Sequence, residues 1–324
     1  MAAALAGGMA FFGIGSDIGG SIRALAAFCG VYGHKPTLDV VSFAGHAPGG
    51  AHTPPGFSTL LAVAGPMARS ADDLELGLGV LAGPEPPDSK ASRWMLPTAR
   101  RRALRDFRIG FILEDSAVPV AAETKAVLES AIRACERAGA TVVQGWPEGV
   151  RLGQLFDTYL FLLGAFVFSM TPPEQREHAR AHLHTRPEPF VRGALSSFAD
   201  WQQENMRRLT YRAMWDHYFE SVDVFVLPTT FTAAFAHDTT HPDRRMIPLP
   251  EGGAQPFWNL LRYISAATLT GCPATTLPVG LSRSGLPVGL QVMAAYLEDS
   301  TSIAFARALA GEIGGFQPPP GYGL

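Results

Sequence analysis

Residues 13–37 read GIGSDIGGSIRALAAFCGVYGHKPT, and no other stretch restricts the folding of this chain so tightly. Gly13, Gly15, Gly19 and Gly20 fall close together, interleaved with Ser16, Asp17 and Ile18 and followed by Ser21 and Arg23. Glycines packed like this mark a backbone that turns sharply or brings N–H groups close to a ligand, since there is no Cβ in the way. Three readings fit: a phosphate cradle, a nucleophile set in an anion-binding loop, or a tight turn without chemistry.

Gly13, Gly15 and Gly19 give GxGxxxG, and Asp39 lies about where a dinucleotide site would place its acidic residue. Such a site also needs a full helix and a second apolar strand. Only SIRALAAFC separates the loop from GVYGHKPT, where Gly and Pro argue against a clean strand, and no Walker-type GK[ST] follows. The nucleophile reading asks for less. The glycines before Ser21 let backbone N–H groups converge, and converging donors stabilise the oxyanion of acyl transfer. Ser21 would attack a carbonyl held against them, once a base has taken its proton. Neither a G-x-S-x-G elbow nor an obvious histidine partner is present. On these residues alone, the nucleophile loop and the structural turn stand level.

The rest of the composition narrows the class. Of 324 residues, 47% are hydrophobic and 17% charged, which points to a globular protein with a large core. A net charge of -3 gives no electrostatic reason to expect nucleic acid or an anionic membrane, and RRRALR is too short to change that. Cys29, Cys135 and Cys272 are odd in number, far apart and without CxxC, so neither disulfides nor zinc are expected, and the compartment reads as reducing and cytoplasmic. The opening MAAALAGGMAFFGIG has no basic n-region and does not fit a signal peptide. The apolar run Tyr159 to Met170 is short for a bilayer and reads as a buried helix. Cys29 reads as packing rather than as a nucleophile. His178 and His182, spaced i,i+4 in polar surroundings without HExxH, read as a solvated helix face. Phe156, Tyr159 and Phe161 read as core, with pocket lining as the alternative.

Periodicity places the elements. Ser70 caps a helix that carries Asp72 and Asp73 in its first turn. Residues 83–106, proline-rich and then basic, read as a surface connection. Residues 107–146 read as β-α-β: FRIGFILED, then a helix burying Val127, Leu128, Ala131, Ile132 and Cys135, ended by Gly139, then TVVQG. Residues 150–221 are mainly helical with a break at TPPEQ, and VDVFVLPTT is a buried strand. A hairpin, ATTLPVGL and LPVGLQVMA around SRSG, precedes a final helix near EDSTSIAFARAL. The fold class is therefore α/β with a mixed sheet.

GIGSDIGGSIRALAAFCGVYGHKPT also resembles the core signature of the amidase signature family of serine hydrolases. The segments GPMARSADDLELGLGVLAGP, VDVFVLPTTFTAAFAHD, ISAATLTGCPATTLPVG and SGLPVGLQVMAAYLEDSTSIAFARAL resemble later family blocks in the same order, leaving about 150–215 least constrained. The resemblance implies an α/β/α fold around a large mixed sheet, a single amidase domain over 1–324, and an acyl-enzyme nucleophile at Ser21. It assigns the backbone N–H groups of Ile18, Gly19, Gly20 and Ser21 to an oxyanion hole, and Asp17 and Arg23 to bracing the loop. It implies hydrolysis of a small-molecule carboxamide without cofactor or metal, through a Ser–cis-Ser–Lys relay. The cis-serine and lysine would fall before residue 1, so the chain would carry the C-terminal two-thirds of the family domain. Lys35, Lys90 and Lys125 match no catalytic position, and Leu25 stands where the family signature has proline. Two alternatives stay open: a catalytically dead fragment serving as a binding partner, and the amidase subunit of an amidotransferase complex. A homodimer is also left open.

Overall fold

The computed structural model describes residues 1–46, 58–85 and 88–322. In chain order the elements are α1 (Ala2–Ala6), β1 (Phe12–Asp17), α2 (Arg23–Cys29), β2 (Tyr32–Lys35), β3 (Val63–Ala68), α3 (Ala71–Leu81), β4 (Arg108–Phe111), α4 (Ala122–Arg137) and β5 (Thr141–Gln144). There follow α5 (Leu152–Ser169), α6 (Arg176–Ala181), α7 (Glu188–Ala194), α8 (Phe198–Ser221), β6 (Val224–Pro228), β7 (Met246–Pro248), β8 (Ala254–Pro256), α9 (Arg262–Thr270), β9 (Ala274–Leu281), β10 (Pro287–Met293) and α10 (Asp299–Ile313).

Eight strands form one sheet in the order β1-β3-β2-β9-β10-β6-β4-β5, and β7 with β8 makes a separate ribbon. Neighbours pair antiparallel from β1 as far as β6, whereas β4 pairs parallel with both β6 and β5. The sheet is thus mixed, as the α/β reading requires. Side-chain alternation sends Gln291 of β10 toward Arg23 of α2, and Phe225 of β6 onto Trp215 of α8. The opposite face sends His34 of β2 and Thr275 of β9 toward Asp299 and Ser302 of α10. Helices therefore cover both faces, with α2, α8 and α9 on one and α10 on the other.

The β-α-β unit forms as its periodicity predicts, with Leu128, Ala131, Ile132 and Cys135 on the buried face of α4. The hairpin forms between β9 and β10, and Ser70 Oγ accepts the N–H of Asp73 at the start of α3. Of the connection 83–106, residues 86 and 87 lie outside the described residues; the remainder holds two short 3-10 turns.

Two expectations about the glycine-rich stretch are corrected. Gly13 and Gly15 belong to a strand, β1, paired with Met67 and Gly65 of β3, so the loop proper is only the turn after Asp17. GVYGHKPT does contain a strand: β2 is fully buried and hydrogen-bonded on both sides, to β3 and to β9. Pro36 costs the ladder nothing because it stands one residue past the strand, and tertiary pairing outweighs the weak strand propensity of Gly33.

The apolar run at Tyr159 sits inside a longer helix than expected. α5 spans 18 residues with a mean hydropathy of 1.4, enough by length and composition to cross a membrane, yet 56% of it is buried within the protein. It packs against α7 at a backbone-to-backbone crossing. A Cβ on Gly164 would lie 2.1 Å from the Phe190 carbonyl oxygen, and one on Gly193 would lie 1.9 Å from that of Phe161. Only glycine fits at either position. Phe156, Tyr159 and Phe161 are all buried, as core packing requires.

Candidate active site

β1 ends at Asp17, and α2 begins at Arg23; the turn between them carries Ser21. Asp17 is wholly buried, and its carboxylate accepts backbone N–H groups from Gly20 at 2.9 Å, Ile22 at 3.3 Å and Arg23 at 3.2 Å. One side chain thereby folds the whole turn back on the strand that precedes it. Arg23, equally buried, closes a bidentate pair on the same carboxylate, Nε to Oδ2 at 3.0 Å and Nη2 to Oδ1 at 2.8 Å. Its other donors reach the Ile264 carbonyl at 2.8 Å, Gln291 Oε1 at 2.5 Å and Thr268 Oγ1 at 2.6 Å. The guanidinium is fully satisfied, which is the condition for tolerating a buried charge. Burial pulls the Asp17 carboxyl upward, but the Arg23 charge and hydrogen bonds outweigh it and hold the group below the ordinary carboxylate range.

Gly20 is the hinge of the turn, with a φ of 87°, in the left-handed region. A Cβ there would also stand 3.3 Å from both Cγ1 and Cγ2 of Ile264. Gly20→Ala is expected to cost about 1–2 kcal/mol from the backbone alone, read as a lowered urea midpoint. Unchanged stability would show that the turn can be built another way.

Tyr159, from the middle of α5, donates its hydroxyl to the Ile18 carbonyl at 2.8 Å. Burial and the nearby Asp17 charge push that hydroxyl's pKa up, so it stays a donor. Leu261, beside α9, flanks Gly19. The loop is therefore pinned from three sides: by Asp17 and Arg23 below, by Tyr159, and by α9. The N–H of Gly20 is engaged by Asp17, whereas those of Ile18, Gly19 and Ser21 have no hydrogen-bond acceptor among the described residues outside the strand ladder. Ser21 itself is exposed, and its hydroxyl hydrogen-bonds no side chain among the described residues. Leu25 is 49% exposed on α2 and disturbs none of these contacts.

Lys35 is completely buried at the end of β2 and donates to the Pro36 carbonyl, at 2.8 Å, its one side-chain hydrogen bond among the described residues. Burial, reinforced by the Arg23 charge, pushes its pKa down to about 8 against the pull of Asp17, Cys272 and Asp299. Beside it runs a second buried network that sequence reasoning missed. Ser302 Oγ meets Thr275 Oγ1 at 2.9 Å, Thr275 meets His34 Nδ1 at 2.9 Å, and His34 Nε2 meets Asp299 Oδ1 at 3.1 Å. Thr37 caps the far end through its N–H and hydroxyl, at 2.8 and 2.7 Å. The order hydroxyl, imidazole, carboxylate is that of a triad, but all five residues are wholly buried and no substrate reaches them. The network ties β2, β9 and α10 together. Its sequence signal was the run of polar residues His34, Thr37, Thr275 and Asp299 within apolar segments.

His178 and His182 are exposed, with ring centroids 4.3 Å apart, at a cavity of about 480 Å³ also lined by Arg186, His241 and Asp243. No grouping of His, Cys, Asp or Glu suited to a metal occurs among the described residues. Cys29 is partly buried on α2, and burial raises its thiol pKa, contrary to what a nucleophile needs.

Residues 1–303 match the amidase family, and the chain belongs to it. Among curated relatives, the A subunit of the glutamyl-tRNA(Gln) amidotransferase of Thermus thermophilus is 32% identical over 95% of this chain and 67% of its own length. The protein of the same name from Thermosynechococcus vestitus is 29% identical over 95% of this chain and 65% of its own. The chain thus spans about two thirds of the length of the curated relatives it matches. The fold is shared with the crystal structure of the corresponding A subunit from Thermotoga maritima, at a TM-score of 0.76 and 23% identity over 98% of this chain and 67% of that one. It is shared too with a bacterial aryl acylamidase of the amidase signature enzymes, at 0.72 and 22% over 99% and 65%.

Proposed function

We propose that the chain carries the nucleophile and oxyanion half of an amidase site that cleaves a small-molecule carboxamide through an acyl-Ser21 intermediate. The observation behind this is the geometry of the turn: an exposed serine beside unengaged backbone N–H groups, on a loop that buried charge holds rigid. In this reading Ser21 Oγ adds to the amide carbonyl carbon. The N–H groups of Ile18, Gly19 and Ser21 take the charge that develops on oxygen. Gly20 contributes the left-handed turn that points them together, with its own N–H committed to Asp17. The C–N bond then breaks, the amine leaves with a proton, and water hydrolyses the ester. A lysine acting through a second serine, as the family resemblance implies, is the base assigned to Ser21.

A second reading follows from the relatives, which are subunits of a glutamyl-tRNA(Gln) amidotransferase. The same site would then release ammonia for use by partner subunits. In a third, the chain keeps the loop as a binding partner without turnover.

Fluorophosphonate labelling tests the site directly. Folded protein is expected to gain one adduct, mapped by mass spectrometry to Ser21 and absent from Ser21→Ala. A folded protein that takes no label at Ser21 overturns the claim that this chain is itself reactive and leaves the third reading.

A further inference from the structure

The described residues contain six buried side-chain nitrogen or oxygen atoms without a hydrogen-bond partner: Glu85 Oε2, Thr124 Oγ1, Glu204 Oε2, Arg208 Nη1, Arg212 Nη2 and Trp215 Nε1. Three of these, on Glu204, Arg208 and Arg212, recur every fourth residue along α8 and so share one face of it. Orphaned polar atoms in a protein interior are rare, and a row of them calls for something that fills their hydrogen bonds.

The two arginines are the core of the anomaly. Arg208 is 5% exposed, and its one side-chain bond runs from Nε to Asn205 Oδ1 at 2.8 Å. Arg212 donates Nε to the Thr270 carbonyl at 2.6 Å and lays its guanidinium 4.1 Å from the centre of the Tyr296 ring. The last carbonyls of α9 and an aromatic face therefore account for Arg212 in part. Arg208 has no such compensation among the described residues, and burial beside the Arg212 charge pushes its pKa down to about 10. Glu204 does not neutralise it, because its ion pair is with Arg207, at 2.9 Å. Asp39 and Asp216 act on the pair only at longer range. None of residues 47–57, 86, 87, 323 and 324 is Asp or Glu, so no side-chain carboxylate there can answer the charge.

We propose that Arg208 and Arg212 form an oxyanion site of the phosphate class, with Glu204 at its edge. Two guanidinium groups presenting free N–H donors match the oxygens of phosphate. The free Glu204 oxygen is an acceptor, and it selects a ligand that still carries an O–H. Inorganic phosphate always carries one at neutral pH, a phosphate monoester, whose second pKa is near 6, carries one in a minor fraction, and sulfate carries none. The site is separate from the nucleophile turn but shares α9 with it. Arg212 holds the Thr270 carbonyl at one end of that helix, while Arg23 holds Thr268 and the Ile264 carbonyl.

The test is calorimetric titration of the folded chain with inorganic phosphate, glycerol phosphate and sulfate at matched ionic strength. Saturable phosphate binding is expected, roughly tenfold or more weaker in Arg208→Met and tighter than sulfate in the wild type. Glu204→Gln is expected to narrow the gap between phosphate and sulfate. Glycerol phosphate binding as well as phosphate identifies a monoester as the ligand; its failure to bind restricts the site to the free ion. Absence of saturable phosphate binding, or equal binding by wild type and Arg208→Met, overturns the proposal. Should Arg208→Met not fold, hydrogen exchange on the wild type decides. Phosphate is expected to slow exchange within 204–216 and 265–272, and protection that is absent or lies elsewhere sinks the site.

Discussion

Arg23→Met is expected to destabilise the protein by about 3–5 kcal/mol, because it leaves the Asp17 carboxylate buried without its counter-charge. The loss should be seen as a lowered urea midpoint with an unchanged denaturant slope. Asp17 anchors the turn from the end of β1, so the lost pair also loosens the N–H groups of Gly20, Ile22 and Arg23 that it orders. Pairing the change with Asp17→Asn should recover part of the loss, since a neutral amide no longer needs the cation. The same pair shapes acid stability. The folded-state pKa of Asp17 lies below its unfolded value, so its contribution is complete above that value and fades as pH falls through the folded one. A variant as stable as the wild type would show that the ion pair does not hold the turn.

Lys35 works in the opposite direction. Its pKa is near 8 in the folded protein against 10.5 for an ordinary lysine, so the unfolded chain holds the extra proton between those values. Stability should therefore rise with pH across that window. Below pH 8 the buried cation costs the fold about 3 kcal/mol, from the difference between the two pKa values. Lys35→Met is expected to remove this rise and to be the more stable protein at pH 7, less whatever the bond to the Pro36 carbonyl contributes. Urea midpoints for both proteins at pH 7, 8.5 and 10 measure it. Parallel profiles would refute the assignment.

Much of the architecture is legible because it is local. The periodic face of α4, the Ser70 cap and the β9–β10 hairpin each follow from residues within one turn or one loop. The elements that escaped depend on distant partners. β2 reads as irregular because Gly33 and Pro36 carry no strand signal, yet β3 and β9 enclose it. Tyr159 reads as core, and it is, but its hydroxyl reaches a carbonyl 141 residues away in the chain. At the site, the residue types of the turn were readable from their spacing. That the Gly20 N–H belongs to Asp17, and that α9 supplies the acceptors for Arg23, are facts of packing with no trace in the sequence.

The crossing of α5 and α7 bears on how this protein can diverge. Gly164 and Gly193 lock the two helices carbonyl against α-carbon, so neither can slide or rotate against the other. The chain between them, from Met170 to Pro187, can then lengthen, shorten or change composition at little thermodynamic expense. Throughout such change the height of the Tyr159 hydroxyl above Ile18 stays the same. The sequence of that segment can change while the turn at Ser21 stays as it is.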